Sequence, residues 1–139
     1  MRVVFDTNIF ISAFVIPRGN AEKAYRHAIQ GSFTLYTSFS ILTELAQKLT
    51  EKFNWVDPKV VRLIKSIGDV AIVVKTEPWL HLVPDEPDNR IIECAIKTNA
   101  KFIVTGDKHL LQMGHYKGIQ ILKLARFLEI VESSQQNTF

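Results

Sequence analysis

The chain has 139 residues, 47% of them hydrophobic and 22% charged, with a net charge of +3, which fits one packed domain and excludes a disordered or collagen-like chain. Its lone cysteine, Cys94, cannot close an intrachain disulfide, and no apolar run approaches the ~20 residues that span a bilayer. We therefore expect a cytoplasmic protein without a membrane partner, with one domain over residues 1–131 and a polar C-terminal tail over residues 132–139.

The first half of the chain predicts two strands and four helices. Short β-branched and aromatic runs indicate strands, and apolar residues at helical spacing indicate helices. In chain order we predict a strand at Arg2–Phe5, a short helix over Ile9–Ile16, a helix over Ala21–Gln30, a strand at Phe33–Thr37, a helix capped by Ser38 that runs to about Lys52, and a helix from Asp57 to near Gly68.

The second half continues the alternation. We predict a strand at Val70–Val74, an irregular segment at Pro78–Pro87, a helix opened by Asp88 that runs to about Thr98, a strand at Phe102–Thr105, a short helix at Asp107–Met113, a strand at Ile119–Leu122 and a terminal helix at Lys123–Val131. Short, nearly all-apolar strands separated by helices indicate a parallel sheet in an α/β layer fold. Ligands of such sheets bind beyond the carboxyl ends of the strands.

Four acidic residues are placed to meet at that edge of the sheet. Asp6 and Asp107 directly follow predicted strands, Asp88 opens a helix, and Glu44 lies early in its helix, beside the apolar stripe. Each has an ordinary alternative, because the three aspartates are good helix caps and a lone helical glutamate is usually solvated. A further aspartate, Asp85, lies between two prolines and is interpreted as a turn residue, with an added carboxylate at the acidic site as the alternative.

Converging carboxylates repel one another unless a cation lies between them. Clustered histidines and cysteines are missing from the sequence, so hard oxygen ligands favour Mg²⁺ or Mn²⁺ over zinc. A site of this kind can orient a phosphodiester and activate water. The residues thus point to phosphodiester hydrolysis.

Four short segments stand in an order that is specific when they are taken together: Val3–Ile9, Leu42–Leu45, Asp85–Ala95 and Ile103–Lys108. They resemble the PIN-domain family, especially its toxin-like (VapC-like) ribonucleases. The resemblance implies a three-layer α/β/α fold with a five-stranded parallel sheet, and Mg²⁺- or Mn²⁺-dependent cleavage of single-stranded RNA. It also implies that the metal-site acids are Asp6, Glu44, Asp88 and Asp107, with Asn8 and Thr105 as polar neighbours.

The chain departs from the family in one place. Many members carry another carboxylate just after the last aspartate, where this chain has Lys108 and His109. That difference leaves open whether the site holds one metal ion or two.

Basic residues favour a polyanionic partner. Once the four candidate acids are set aside, 17 lysines and arginines outnumber ten other acidic residues. We expect RNA contacts, single-stranded or structured, from the segments that contain Arg18, Lys23, Arg26, Lys101 and Lys108.

Three functions remain open at this point. The chain is the ribonuclease toxin of a toxin–antitoxin pair, a housekeeping nuclease of RNA maturation or DNA repair, or an inert domain that binds RNA or protein. The resemblance implies a homodimer and an antitoxin protein as further partners.

Overall fold

The part of the chain that the computed structural model describes, residues 1–136, contains six strands and seven helices. The strands are β1 (Arg2–Phe5), β2 (Thr34–Ser38), β3 (Ile72–Val74), β4 (Phe102–Val104), β5 (His115–Tyr116) and β6 (Ile119–Leu122). The helices are α1 (Thr7–Val15), α2 (Asn20–Ile29), α3 (Phe39–Phe53), α4 (Asp57–Val70), α5 (Glu86–Thr98), α6 (Lys108–Met113) and α7 (Leu124–Gln136).

The strands form one sheet in the order β3-β2-β1-β4-β6-β5. All neighbours are parallel except β5, which pairs antiparallel with β6. The predicted α/β fold with a parallel sheet is confirmed, but the sheet has six strands rather than five. The sixth strand was missed because β5 has only two residues, too few for a hydrophobic pattern. It is joined to β6 by a tight turn in which Lys117 and Gly118 both have positive φ angles.

Helices cover both faces of the sheet. Val4 and Phe5 are both fully buried, and consecutive strand residues point to opposite faces. The ring of Phe5 packs against Phe10 of α1 and Phe127 of α7, while α5 packs along β1, β2 and β4. The central strands are therefore enclosed on both faces by helices.

Several element boundaries differ from the sequence prediction. Helix α4 continues through Gly68 to Val70, so β3 is shorter than the predicted strand and starts at Ile72. The terminal helix α7 runs to Gln136, so residues 132–136 are helical rather than an irregular tail. Glu132 forms an ion pair of 2.9 Å with Lys23 of α2, a contact between distant parts of the chain. The remainder of the predicted tail, residues 137–139, lies outside the described residues.

None of the helices within residues 1–136 is both long enough and apolar enough to cross a membrane.

Candidate metal centre

Asp6 and Asp107 lie where β1 and β4 end, at the carboxyl edge of the sheet. Each caps the helix that follows: Asp6 Oδ1 accepts a hydrogen bond of 3.4 Å from the Asn8 amide, and Asp107 Oδ1 accepts one of 3.0 Å from the Leu110 amide. Both residues are therefore helix caps, as the alternative interpretation predicted. Capping uses one oxygen of each carboxylate and leaves the second oxygen for other partners.

Two threonines hold Asp6 in a fixed orientation. Thr105 Oγ1 donates a hydrogen bond of 2.7 Å to Asp6 Oδ2, and Thr7 Oγ1 donates one of 3.2 Å to Oδ1. Thr105 Oγ1 also accepts a hydrogen bond of 2.9 Å from the Asp107 amide. Thr105, predicted as a polar neighbour, thus connects the two aspartates that leave β1 and β4.

Three carboxylates meet beside this pair of strand ends. Single oxygens of Asp85, Asp88 and Asp107 all lie within 4.8 Å of one another, which suits joint binding of a metal ion. Asp88 is buried, and its Oδ2 has no hydrogen-bond partner among the described residues. A buried carboxylate oxygen without a partner is costly, and a cation would satisfy it.

The structure corrects the sequence interpretation of two of these aspartates. Asp88 does not cap α5, because that helix begins two residues earlier, at Glu86, with Pro87 in its first turn. Asp85 precedes the helix, but its side chain makes no capping hydrogen bond. Instead of being a plain turn residue, Asp85 contributes a carboxylate to the three-membered group.

The buried carboxyl group of Asp88 has acidic neighbours and no paired cation among the described residues. Burial, followed by the charges of Asp107, Asp6 and Asp85, raises the pKa of Asp88 to about 7. A bound divalent ion would favour the charged form and reverse this shift. Oxygen donors, burial and the unpartnered atom all fit Mg²⁺ or Mn²⁺.

Glu44 takes a different partner. Its Oε1 forms an ion pair of 3.1 Å with Lys48, one turn further along α3. Lys48 Nζ also donates to Thr7 Oγ1 at 3.1 Å and to Asn8 Oδ1 at 3.4 Å. Burial raises the pKa of Glu44, whereas the hydrogen bond and charge of Lys48 oppose that rise. Sequence reasoning missed Lys48, although its spacing of four residues from Glu44 on a helix was a visible signal.

The segment before α5 is held by side chains of that helix. Asn89 Oδ1 accepts hydrogen bonds from the amides of Leu82 (2.9 Å) and Val83 (3.0 Å), and Glu93 Oε2 accepts 2.7 Å bonds from the amides of Trp79 and Leu80. These contacts fix the path of the chain into Asp85 and Asp88.

Arg90 neutralises the buried Glu93. Its Nη2 donates to Glu93 Oε2 at 3.0 Å and to the Leu80 carbonyl at 2.8 Å. The Nε–Oε1 contact of 2.7 Å is a close ion pair without hydrogen-bond angles. Arg90 is therefore paired with Glu93 and does not neutralise the aspartates of the three-membered group.

The structure gives the predicted RNA-contacting residues different surroundings. Lys23 pairs with Glu132, and Arg26 pairs with Glu22 at 2.9 Å. Arg18 follows α1, which carries the chain roughly 13 Å from Asp6 at 1.5 Å per residue. Lys101 precedes β4 and so lies at the opposite edge of the sheet. Lys108 alone of the five directly adjoins the acidic group, next to Asp107, and it is exposed.

Known proteins resemble the chain in sequence and in fold. The chain is 30% identical over 117 residues to the uncharacterized protein MJ1680 of Methanocaldococcus jannaschii, covering 81% of this chain and 75% of that protein. Its fold is similar to a chain in the crystal structure of VapBC2 from Rickettsia felis bound to a DNA fragment from their promoter, with a TM-score of 0.66 and 14% identity over 88% of this chain and 98% of that one. Residues 2–109 match the PIN domain family, and the chain belongs to that family.

Proposed function

We propose that this chain is a metal-dependent ribonuclease that hydrolyses phosphodiester bonds of single-stranded RNA and acts as the toxin of a toxin–antitoxin pair. The observation that carries the proposal is the convergence of Asp85, Asp88 and Asp107 at the carboxyl edge of the sheet, with a buried, unpartnered Oδ2 on Asp88. PIN domains are generally nucleases, so membership of the family supports the same chemistry.

In this proposal the residues at the site have different roles. Asp88 and Asp107, aided by Asp85, supply the oxygens that would hold Mg²⁺ or Mn²⁺, and the Thr105 hydroxyl keeps Asp6 beside them. Such an ion supplies electrostatic stabilisation to the phosphodiester and favours ionisation of the attacking water. Glu44 is held in an ion pair by Lys48. Exposed Lys108 is the residue best placed to contact an RNA phosphate.

The toxin assignment rests on the fold shared with VapBC2 and on the intact acidic group. A basic side chain from an antitoxin would fit the same carboxylates as a substitute for the metal. We further propose a homodimer, supported by the exposed apolar side chains of Ile29 on α2 and Phe39 on α3, and activity in the cytoplasm. An inert binding domain is a weaker alternative, because it would not require this group of carboxylates.

The reaction is tested by incubating the purified chain with labelled single-stranded RNA, double-stranded RNA and single-stranded DNA, with MnCl₂ or with EDTA. We expect Mn²⁺-dependent cleavage that is fastest on single-stranded RNA. Equal cleavage of DNA would favour a repair nuclease. Absence of cleavage on all three substrates, by a protein shown to bind Mn²⁺, would favour a binding domain.

The partners are tested separately. Light scattering at micromolar concentration should report twice the 15.9 kDa of one chain, and a 15.9 kDa species would contradict the dimer. Overexpression in the native host should arrest growth. Unaffected growth with active enzyme would favour the housekeeping alternative.

A further inference from the structure

Lys48 is built into the acidic site rather than lying on an open helix surface. Its ammonium contacts three oxygens: Glu44 Oε1 at 3.1 Å, Thr7 Oγ1 at 3.1 Å and Asn8 Oδ1 at 3.4 Å. Two of these contacts are hydrogen bonds, and the contact with Glu44 is an ion pair. The side chains of Lys48 and Glu44 are only 22% and 19% exposed. This pair therefore differs from the solvent-exposed ion pairs that residues four positions apart form on helix surfaces.

The contacts of Lys48 extend to Asp6. Thr7 Oγ1, which accepts the hydrogen bond from Lys48, donates its own hydrogen to Asp6 Oδ1. The positive charge is thereby linked through one hydroxyl to the aspartate that follows β1. Glu44 in turn lies close enough to Asp6 and Asp85 for their charges to raise its pKa.

The carboxylates therefore fall into two groups with different counter-charges. Glu44 forms an ion pair with Lys48, and Asp6 accepts a hydrogen bond from the Thr7 hydroxyl, which is itself bound by that lysine. Within the described residues, no ion pair is formed by Asp85, Asp88 or Asp107. The unpartnered Asp88 Oδ2 belongs to this second group.

We infer that the Lys48 ammonium takes the place of a second divalent cation on the Glu44 side of the site, so that the chain binds one divalent ion, held by Asp88, Asp107 and Asp85. The inference rests on the proposed metal-dependent function and assigns the division of charge within that site. Lys48 is a positioning residue: it neutralises Glu44 and orients Thr7 and Asn8. A second ion cannot approach Glu44 while the ammonium contacts its oxygen, because like charges at that distance repel.

The test is to count bound Mn²⁺ by isothermal titration calorimetry, with electron paramagnetic resonance as a second measure of free Mn²⁺. The full-length chain should bind one ion. Lys48→Met keeps the length of the side chain and removes its charge, and it should bind a second ion and melt at a lower temperature without metal. Lys48→Arg should bind one ion, as should Lys52→Met, a control that removes an exposed lysine one turn further along α3.

A second pair of variants covers the case in which Lys48→Met does not fold. Glu44→Gln removes the partner of Lys48 and should still bind one ion, with affinity changed less than threefold. The double variant, Lys48→Met with Glu44→Gln, removes the positive and the negative charge together and should also bind one ion.

Two Mn²⁺ ions in the unmodified chain, or one in both it and a folded Lys48→Met, would overturn the inference and leave the proposed function standing. A loss of Mn²⁺ affinity of threefold or more in Glu44→Gln would also overturn it, because Glu44 would then be a metal ligand. Absence of any Mn²⁺ binding by the unmodified chain would instead remove the proposed function and the inference with it.

Discussion

Thr105 Oγ1 donates a hydrogen bond of 2.7 Å to Asp6 Oδ2, joining the residue after β4 to the residue after β1 across 99 positions of the chain. Both residues are buried, and the same hydroxyl oxygen accepts a hydrogen bond from the Asp107 amide. One threonine thereby sets the relative positions of the carboxylates at two strand ends.

Replacement of Thr105 by valine should therefore be costly. Thr105→Val removes the donor but keeps the shape, which leaves Asp6 Oδ2 and the Asp107 amide without this partner. We expect a loss of about 1–3 kcal/mol in the free energy of unfolding, measured by urea denaturation. Thr105→Ser retains the hydroxyl and should lose less than half as much. Equal losses in the two variants would show that the methyl group, and not the hydrogen bond, matters.

Divalent metal should stabilise the folded chain. The unfolded chain has no assembled site, so binding shifts the equilibrium by mass action, and Mn²⁺ at about 100 times its Kd should raise the Tm by roughly 5–10 °C. Asp88→Asn should abolish most of this shift. Asp69→Asn, which removes an exposed carboxylate on α4, should keep it. An unchanged Tm of the unmodified chain in millimolar Mn²⁺ would contradict a metal centre.

The metal-free protein should lose stability as the pH rises towards neutrality. The pKa of Asp88 is raised from 3.8 to about 7, so between these values the folded chain holds a proton that the unfolded chain releases. The stability from this group is fully present below pH 3.8 and is lost as the pH passes through about 7. The Tm of the unmodified chain and of Asp88→Asn is recorded in EDTA from pH 5 to 8. As the pH rises, the Tm of the unmodified chain should therefore fall by several degrees relative to that of Asp88→Asn. A difference independent of pH would contradict the raised pKa.

Glu93 should be more important for stability than Glu86, although both contact Arg90. Glu93 is buried and accepts two backbone hydrogen bonds, whereas the side chain of Glu86 is 59% exposed. Glu93→Gln leaves the Arg90 charge without its buried partner and should cost about 3 kcal/mol, while Glu86→Gln should change stability by about 0.5 kcal/mol or less. Urea denaturation of the two variants measures this contrast. Similar losses would mean that the Glu93 contacts do not hold the segment before α5.

The strands and the helices that follow them could be predicted because their signals are local. Strand β1 ends in three consecutive apolar residues, Val3 to Phe5, and Asp6 combines a helix-capping residue type with a position at a strand end. The same reasoning applies to Asp107. Asp107 both caps α6 and belongs to the three-membered group, whereas Asp6 caps α1 and is joined to Asp107 through Thr105.

The features that the sequence did not predict, or offered only as an alternative, depend on contacts between distant residues. Asp85 joins the acidic group because Asn89 and Glu93 fix the path of the segment before it, which the two flanking prolines do not reveal. Lys48 reaches Thr7 only because α1 and α3 pack together. The pairing of Lys23 with Glu132 is likewise invisible in the sequence around either residue.

The central claim is that the carboxylates at the strand ends perform metal-dependent phosphodiester hydrolysis, and the rate of RNA cleavage by Asp107→Asn tests it most directly. Asparagine keeps an oxygen that can accept the capping hydrogen bond from Leu110 but lacks the charge that a metal ligand needs. At equal folded concentration in Mn²⁺, cleavage of single-stranded RNA should fall by about 100-fold or more relative to the unmodified chain, while Asp69→Asn retains its rate. Cleavage by Asp107→Asn at close to the unmodified rate would contradict the account and reduce Asp107 to a helix cap.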